Sequence, residues 1–190
     1  MKRMFIAVPV QEKTRLEIRD GIFSNERVRK LPVRWTAVQN LHLTLQFLGD
    51  VDEKRIGDLK QILNRLSSSG LQEKLMFTHV NAFPNPSAPK IIWLGIEKND
   101  FLLKLQRLLS LDLVHNGFDV DRKPFKAHLT LGRVRENAFV PADAVQSLEE
   151  IRGGLSISDS PLDRVTLFES QLRPGGPLYS VLFERKLFSN

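Results

Sequence analysis

The sequence predicts an α/β (α+β) chain in which one strand–helix–strand–helix–strand unit is used twice, and three observations predict it. Leu41-His42-Leu43-Thr44-Leu45 returns 86 residues later as Ala127-His128-Leu129-Thr130-Leu131. The same spacing carries Phe5-Ile6-Ala7-Val8 onto Ile91-Ile92-Trp93-Leu94, and the helical stretch 52–67 onto 138–153. Between the copies, Phe83-Pro84-Asn85-Pro86-Ser87-Ala88-Pro89 is dense in chain breakers. Three elements agreeing on one gapless offset indicate a duplication. The 190 residues therefore read as a single bilobal domain, with repeat halves at approximately 1–86 and 87–190 related by a pseudo-twofold axis.

In the first half, 5–9 reads as a buried strand and 14–23 as a modest helix, and 34–47 holds the next strand. Ile56, Leu59, Ile62, Leu63 and Leu66 recur at three-and-four spacing, with Asp52 placed to cap the helix. The strand 74–82 closes the half. In the second half, 90–97 is a strand, and Phe101, Leu102, Leu105, Leu108 and Leu109 form one stripe of an amphipathic helix. A strand at 128–134, a helix at 142–151 and strands at 164–170 and 179–186 follow. The last two are joined around Arg173-Pro174-Gly175-Gly176-Pro177.

Composition removes several function classes. Apolar residues make up 42% of the chain and charged residues 26%, values of a folded domain rather than a disordered one. Zero cysteines exclude a disulfide scaffold, a thiol nucleophile and a Cys-ligated metal, and fit a cytoplasmic, reducing setting. No apolar run approaches the ~18 residues of a membrane span. The apolar run after Lys2-Arg3 is too short for a signal-peptide core and reads as the first strand. A net charge of +6 with a pI near 9.8 favours an anionic partner, RNA or a phosphorylated small molecule. A monomer is expected.

Strand alternation places His42 and Thr44 on one face, and Leu41, Leu43, Leu45 and Phe47 on the other. In the second copy His128 and Thr130 oppose Ala127, Leu129 and Leu131. Two such strands about a pseudo-twofold axis present two imidazoles and two hydroxyls to a shared groove. One lone strand histidine beside a threonine is ordinarily a half-exposed pair without chemistry. Retention of both groups in both copies points instead to a site, because repeats keep core positions first. Histidine titrates near neutrality, so one ring can accept a proton while its twin donates. That division of labour suits phosphodiester hydrolysis, with the hydroxyls on the non-bridging oxygens and attack roughly in line. A Ser-His-Asp arrangement is not specified by these residues. A carboxylate follows each motif, Asp50 and Glu136, also 86 apart. Eight residues of straight strand span about 26 Å, too far for one coordination shell, and no metal is expected.

These paired His-x-Thr motifs resemble the two-histidine phosphoesterases. Arg34-Trp35-Thr36 before Asn40-Leu41-His42-Leu43-Thr44-Leu45-Gln46-Phe47-Leu48-Gly49 is similar to the first motif region of the bacterial and archaeal RNA 2′,3′-cyclic phosphodiesterase (2′-5′ RNA ligase-like) branch. Pro124-Phe125-Lys126-Ala127-His128-Leu129-Thr130-Leu131-Gly132-Arg133 resembles the second, and Leu167-Phe168-Glu169-Ser170 with Gly176-Pro177-Leu178-Tyr179 its closing hairpin. The resemblance implies two antiparallel sheets flanking a central groove with helices outside, no metal cofactor, and hydrolysis of RNA 2′,3′-cyclic phosphate ends to 2′-phosphate. It implies His42 as general acid toward the departing 3′ oxygen, His128 as base on water, and Thr44 and Thr130 as phosphate ligands. The bare sequence is symmetric about the two histidine roles.

Arg133 matches a recurring arginine of the branch. Strict alternation puts it on the leucine face as a solvated strand-end residue, whereas a bulge at Gly132 turns it inward. Trp35, Phe125 and Tyr179 can stack a base, or serve as core and rim aromatics. Arg34 and Lys126 can steer backbone phosphates, or simply stand solvated. His79 and His115 lack a threonine two residues on and fall outside the site, with His115 placed at a helix C-terminus. The alternatives are a small cyclic phosphate or 2′-5′ linked oligonucleotide as substrate, or a nucleotide- or RNA-binding module without turnover.

Overall fold

Apolar and β-branched residues from Met4 to Val8 bury completely and make β1 (Lys2–Pro9) a central strand. The computed structural model describes residues 1–66, 72–121, 123–141, 143–174 and 176–188. Ser67, Ala142 and Gly175, which belong to predicted elements, lie outside the described residues. After β1 come α1 (Glu12–Ile18), α2 (Glu26–Arg29), β2 (Val33–Trp35) and β3 (His42–Val51). Then follow α3 (Ile56–Asn64), β4 (Lys74–Leu75), β5 (Phe77–Phe83), β6 (Ile91–Ile96) and α4 (Asp100–His115). β7 (His128–Val134), α5 (Ala144–Gly153), β8 (Ser160–Pro161), β9 (Arg164–Gln171) and β10 (Leu178–Lys186) complete the chain.

The fold is α+β. One eight-stranded antiparallel sheet runs β10-β9-β1-β3-β7-β6-β5, with β2 also on β7; β10-β9-β1-β3 and β7-β6-β5 are its two half-sheets, which meet edge to edge between β3 and β7. That junction is a single register pair, Leu43 opposite Leu129. A separate two-stranded ladder joins β4 to β8. Strands exchange between the halves: β5 pairs with β6, while β9 pairs with β1. The repeat is a unit of sequence, and each half-sheet borrows a strand from the other copy. α3 packs on β10 and α4 on β3, while α5 lies against β5. One apolar cluster containing Ile6, Leu43, Leu94, Leu129 and Leu167 runs through both half-sheets.

Several predicted elements divide. The stretch 14–23 is α1 and then a π-helical turn, Arg19–Phe23. The stretch 34–47 holds two strands with a 3₁₀ turn, Val38–Asn40, between them, because β2 crosses to pair with β7. The stretch 74–82 breaks at Met76, where β4 leaves for β8 and β5 for β6. Asp52 does cap: its carboxylate accepts from Lys54 N at 2.9 Å, opening a 3₁₀ turn into α3. On α4 the buried stripe is Leu102, Leu105, Leu109 and Leu113, and Leu108 is exposed.

Strict alternation fails at an equivalent place in each copy, and for the same reason; β3 carries a further bulge at Leu48. Ala7 opposes Thr44 and Ile6 opposes Gln46, so Leu45 is an extra residue. Trp93 opposes Thr130 and Ile92 opposes Gly132, so Leu131 is an extra residue. These bulges stand 86 residues apart and flip the faces beyond them. Gln46 turns inward, where it is 3% exposed and its carbonyl oxygen accepts from Ser110 Oγ of α4 at 3.2 Å. Phe47, predicted on the leucine face, turns out and is 54% exposed. Arg133, its counterpart, turns to the same side.

Gly132 is required by close approach at the second bulge. A Cβ there would stand 2.6 Å from Val33 Cγ1, 2.9 Å from Trp35 Cε3 and 3.1 Å from the Arg34 carbonyl. Gly132→Ala is expected to cost about 1–3 kcal/mol by overpacking, read as a lower denaturant midpoint. Helical Gly57, whose Cβ would meet nothing within 4 Å, serves as control; its alanine variant is expected to hold or raise the midpoint.

Candidate active site

Because Leu43 and Leu129 face each other and are wholly buried, their strand neighbours point to the opposite, open face. Continuing the antiparallel register sets His42 across from Thr130, and Thr44 across from His128. Four polar side chains thus stand on one face around the pseudo-twofold axis, two on each strand beside the Leu43–Leu129 pair.

Each imidazole is held in the same way. His42 Nδ1 lies 2.6 Å from the Asn40 carbonyl, and His128 Nδ1 lies 2.6 Å from the Lys126 carbonyl. A carbonyl only accepts, so Nδ1 carries the proton and the neutral ring presents a bare Nε2. Thr44 Oγ1 sits 3.0 Å from His42 Nε2 and donates to it in that state. Asn40 also acts through its side chain, whose amide donates to the Pro177 carbonyl at 2.9 Å and ties the β9–β10 turn to the start of β3.

Aromatic rings enclose both imidazoles. Phe5 stands 4.9 Å from His42 between centroids, and Tyr179 stands 5.4 Å away, edge to face. Phe83 at 5.2 Å and Trp93 at 5.9 Å flank His128. Burial among these rings disfavours the imidazolium. The His42 pKa falls to about 4, lowered by burial, partly opposed by the Asn40 carbonyl and lowered further by the nearby His128. His128 is also lowered, by burial first, against the Lys126 carbonyl and with the positive charges of Lys126 and Arg133 adding to the effect. Burial raises the Tyr179 phenol, with Arg133 and Arg3 opposing.

A cavity of about 210 Å³ is lined by His42, Thr44, Thr130, Arg133, Arg34, Trp35 and Tyr179. Seven of the nine residues predicted for the site are therefore brought together, with Phe47 added by its bulge. His128 and Lys126 stand outside that lining. His128 faces it across the strand junction, and the Lys126 ammonium lies over Trp93, 4.3 Å from the ring centroid. Phe125 lines a separate pocket. Trp35 is half buried and packs against Phe23 at 5.5 Å. Sequence reasoning missed Phe5, Phe47, Phe83, Trp93, Phe168 and Asn40. Asn40 was legible in one respect, since it and Lys126 both stand two residues before a motif histidine. Among the described residues no group of three or more His, Asp or Glu is close enough to hold a metal ion, and no helix is long and apolar enough to cross a membrane.

The family model described as LigT-like phosphoesterase matches residues 18–93 and again 94–179, one match per copy. The chain belongs to the LigT-like phosphoesterases. Among these two-histidine enzymes, it is 32% identical over 182 residues to the RNA 2′,3′-cyclic phosphodiesterase of Thermotoga maritima, covering 96% of this chain and 94% of the relative. It is 33% identical to the protein of the same name from Archaeoglobus fulgidus, covering 95% and 97%. A crystal structure of a Thermus thermophilus protein superposes with a TM-score of 0.78 at 26% identity, covering 97% of each chain.

Stability carries the imprint of the buried rings. Between pH 6.5 and about 4 the unfolded histidines bind protons that folded His42 refuses, so the unfolded state gains protons and stability falls as pH falls. A His42→Asn variant is expected to lose less stability than the parent over that interval, measured by urea unfolding at matched pH values. Equal losses in the two proteins would contradict the depressed pKa.

Proposed function

We propose that this phosphoesterase hydrolyses RNA 2′,3′-cyclic phosphate ends to 2′-phosphates, with His128 as base and His42 as acid. The observation that carries the reading is two imidazoles, each with Nδ1 tied to a carbonyl, on one face of one strand junction. His128 Nε2 takes a proton from water as the water oxygen bonds to phosphorus. The bond from phosphorus to O3′ breaks, and His42 Nε2–H delivers its proton to that oxygen. Thr44, Thr130 and Arg133 hold the non-bridging oxygens as charge grows on them. Arg34 attracts the backbone phosphates, while Trp35 and Tyr179 border the sugar and base. Lys126, across the junction, lends its carbonyl to His128 and its charge to the same face.

Depressed pKa values leave both rings neutral in the empty site at pH 7, and an acid must first be protonated. The anionic phosphate supplies the remedy: a negative charge beside Nε2 favours the imidazolium. Substrate binding and proton uptake at His42 are then coupled. The acid is charged when a phosphate is there to receive its proton.

The names of the relatives support this substrate, as does the basic character of the chain. His42→Ala and His128→Ala are each expected to lower turnover of a 2′,3′-cyclic nucleotide by ~10²-fold or more, in assays containing EDTA, with parental turnover unchanged by the chelator. Near-parental rates in either variant, with chemistry limiting, would contradict paired acid–base action, and a 3′-phosphate product would contradict the leaving group.

A further inference from the structure

The duplication copies the two histidines but not the charges around them. Through the 86-residue offset, Lys126 answers to Asn40 and Arg133 to Phe47. Both differences place a cation on the His128 side and a neutral residue on the His42 side. The Lys126 ammonium lies 4.3 Å from the Trp93 ring centroid and 5.3 Å from that of Phe83. The same two rings flank His128, at 5.9 and 5.2 Å. A cation seated on two aromatic faces is held beside the imidazole those rings enclose. Among the described residues neither Lys126 nor Arg133 is paired with a carboxylate.

The other groups around His128 do not cancel this charge. β3 brings His42, and β2 brings Arg34 opposite Arg133. β6 brings Trp93 and β5 brings Phe83, with His79 on the far side of Trp93. The pocket past Lys126 adds Glu97 and Lys98, which are of opposite sign. Lys126 and Arg133 therefore join burial in disfavouring the His128 imidazolium. At His42 burial is joined by the charge of the twin ring.

A bound phosphate makes the asymmetry matter. Its negative charge draws a proton toward both Nε2 atoms, and a site with both rings charged has an acid but no base. We infer that Lys126 is the positioning residue that prevents this: its ammonium offsets the phosphate at His128, so the proton taken up on binding settles on His42. His42 is the more deeply buried ring and feels the phosphate through less water. The inference rests on the reaction proposed above and names the residue that keeps its two roles apart.

Lys126→Met keeps an apolar stem on Trp93 and removes the charge. With 2′,3′-cyclic AMP, the acid limb of its kcat–pH profile is expected to move up by about half a pH unit, because His128 then protonates more readily. Lys126 is exposed, so the shift is modest and is expected to shrink in about 1 M salt. The alkaline limb, set by His42, is expected to hold, and Lys126→Arg to restore the parental profile, with thermal unfolding as the check on folding. Nitrogen NMR of the substrate-free protein reads the same interaction at its source: His128 is expected to titrate higher in Lys126→Met than in the parent. A raised KM with both limbs unmoved would make Lys126 a phosphate ligand and overturn the inference, and so would an unmoved His128 titration. Either result leaves the phosphodiesterase reading standing. If the unaltered protein turns over no 2′,3′-cyclic AMP, that reading fails, and the role of Lys126 falls with it.

Discussion

Everything in this molecule turns on a one-residue ladder. Leu43 and Leu129 form the sole register pair between the two half-sheets among the described residues, and both are buried without exposure. Hydrophobic burial at that pair fixes register, because a slip by one residue would send the leucines to water and the imidazoles into the core. Two polar motifs distant in sequence become cross-strand neighbours as a consequence. A longer ladder would close the groove, while no ladder would leave the histidines on unrelated surfaces.

The bulges complete what the junction begins. Leu45 and Leu131 each add one residue to a strand, and the next outward side chains, Phe47 and Arg133, then line the cavity that holds His42. One copy supplies an apolar wall and the other a cation. The same divergence separates Asn40 from Lys126. Duplication gives paired imidazoles, and divergence around them makes the two sides of the site unlike.

Much of this was legible in the chain itself. The offset between His42 and His128 exposed the repeat, and alternation placed His and Thr together opposite the leucines. Gly132 hinted at the bulge that turns Arg133 inward. The equivalent bulge at Leu45 was not legible, because no glycine marks it and the buried Gln46 meets Ser110 on a helix distant in sequence. Strand exchange was equally hidden: β5 and β9 read as strands, but their partners are chosen by tertiary packing. The depressed pKa of His42 depends on Phe5 and Tyr179, which lie far apart in sequence and meet only across β1, β3 and the β9–β10 hairpin. Local pattern names the groups, while long-range contacts set their chemistry.

The central claim is that two imidazoles address a single phosphorus atom. Nitrogen NMR of the His42 and His128 rings, titrated with pH in the presence and absence of a nucleoside 2′-phosphate, tests it most directly. The account expects both Nε2 resonances to respond to the bound phosphate, and the His42 titration to move from about 4 toward neutrality. A saturating phosphate that perturbs one ring and leaves the other unmoved would contradict it.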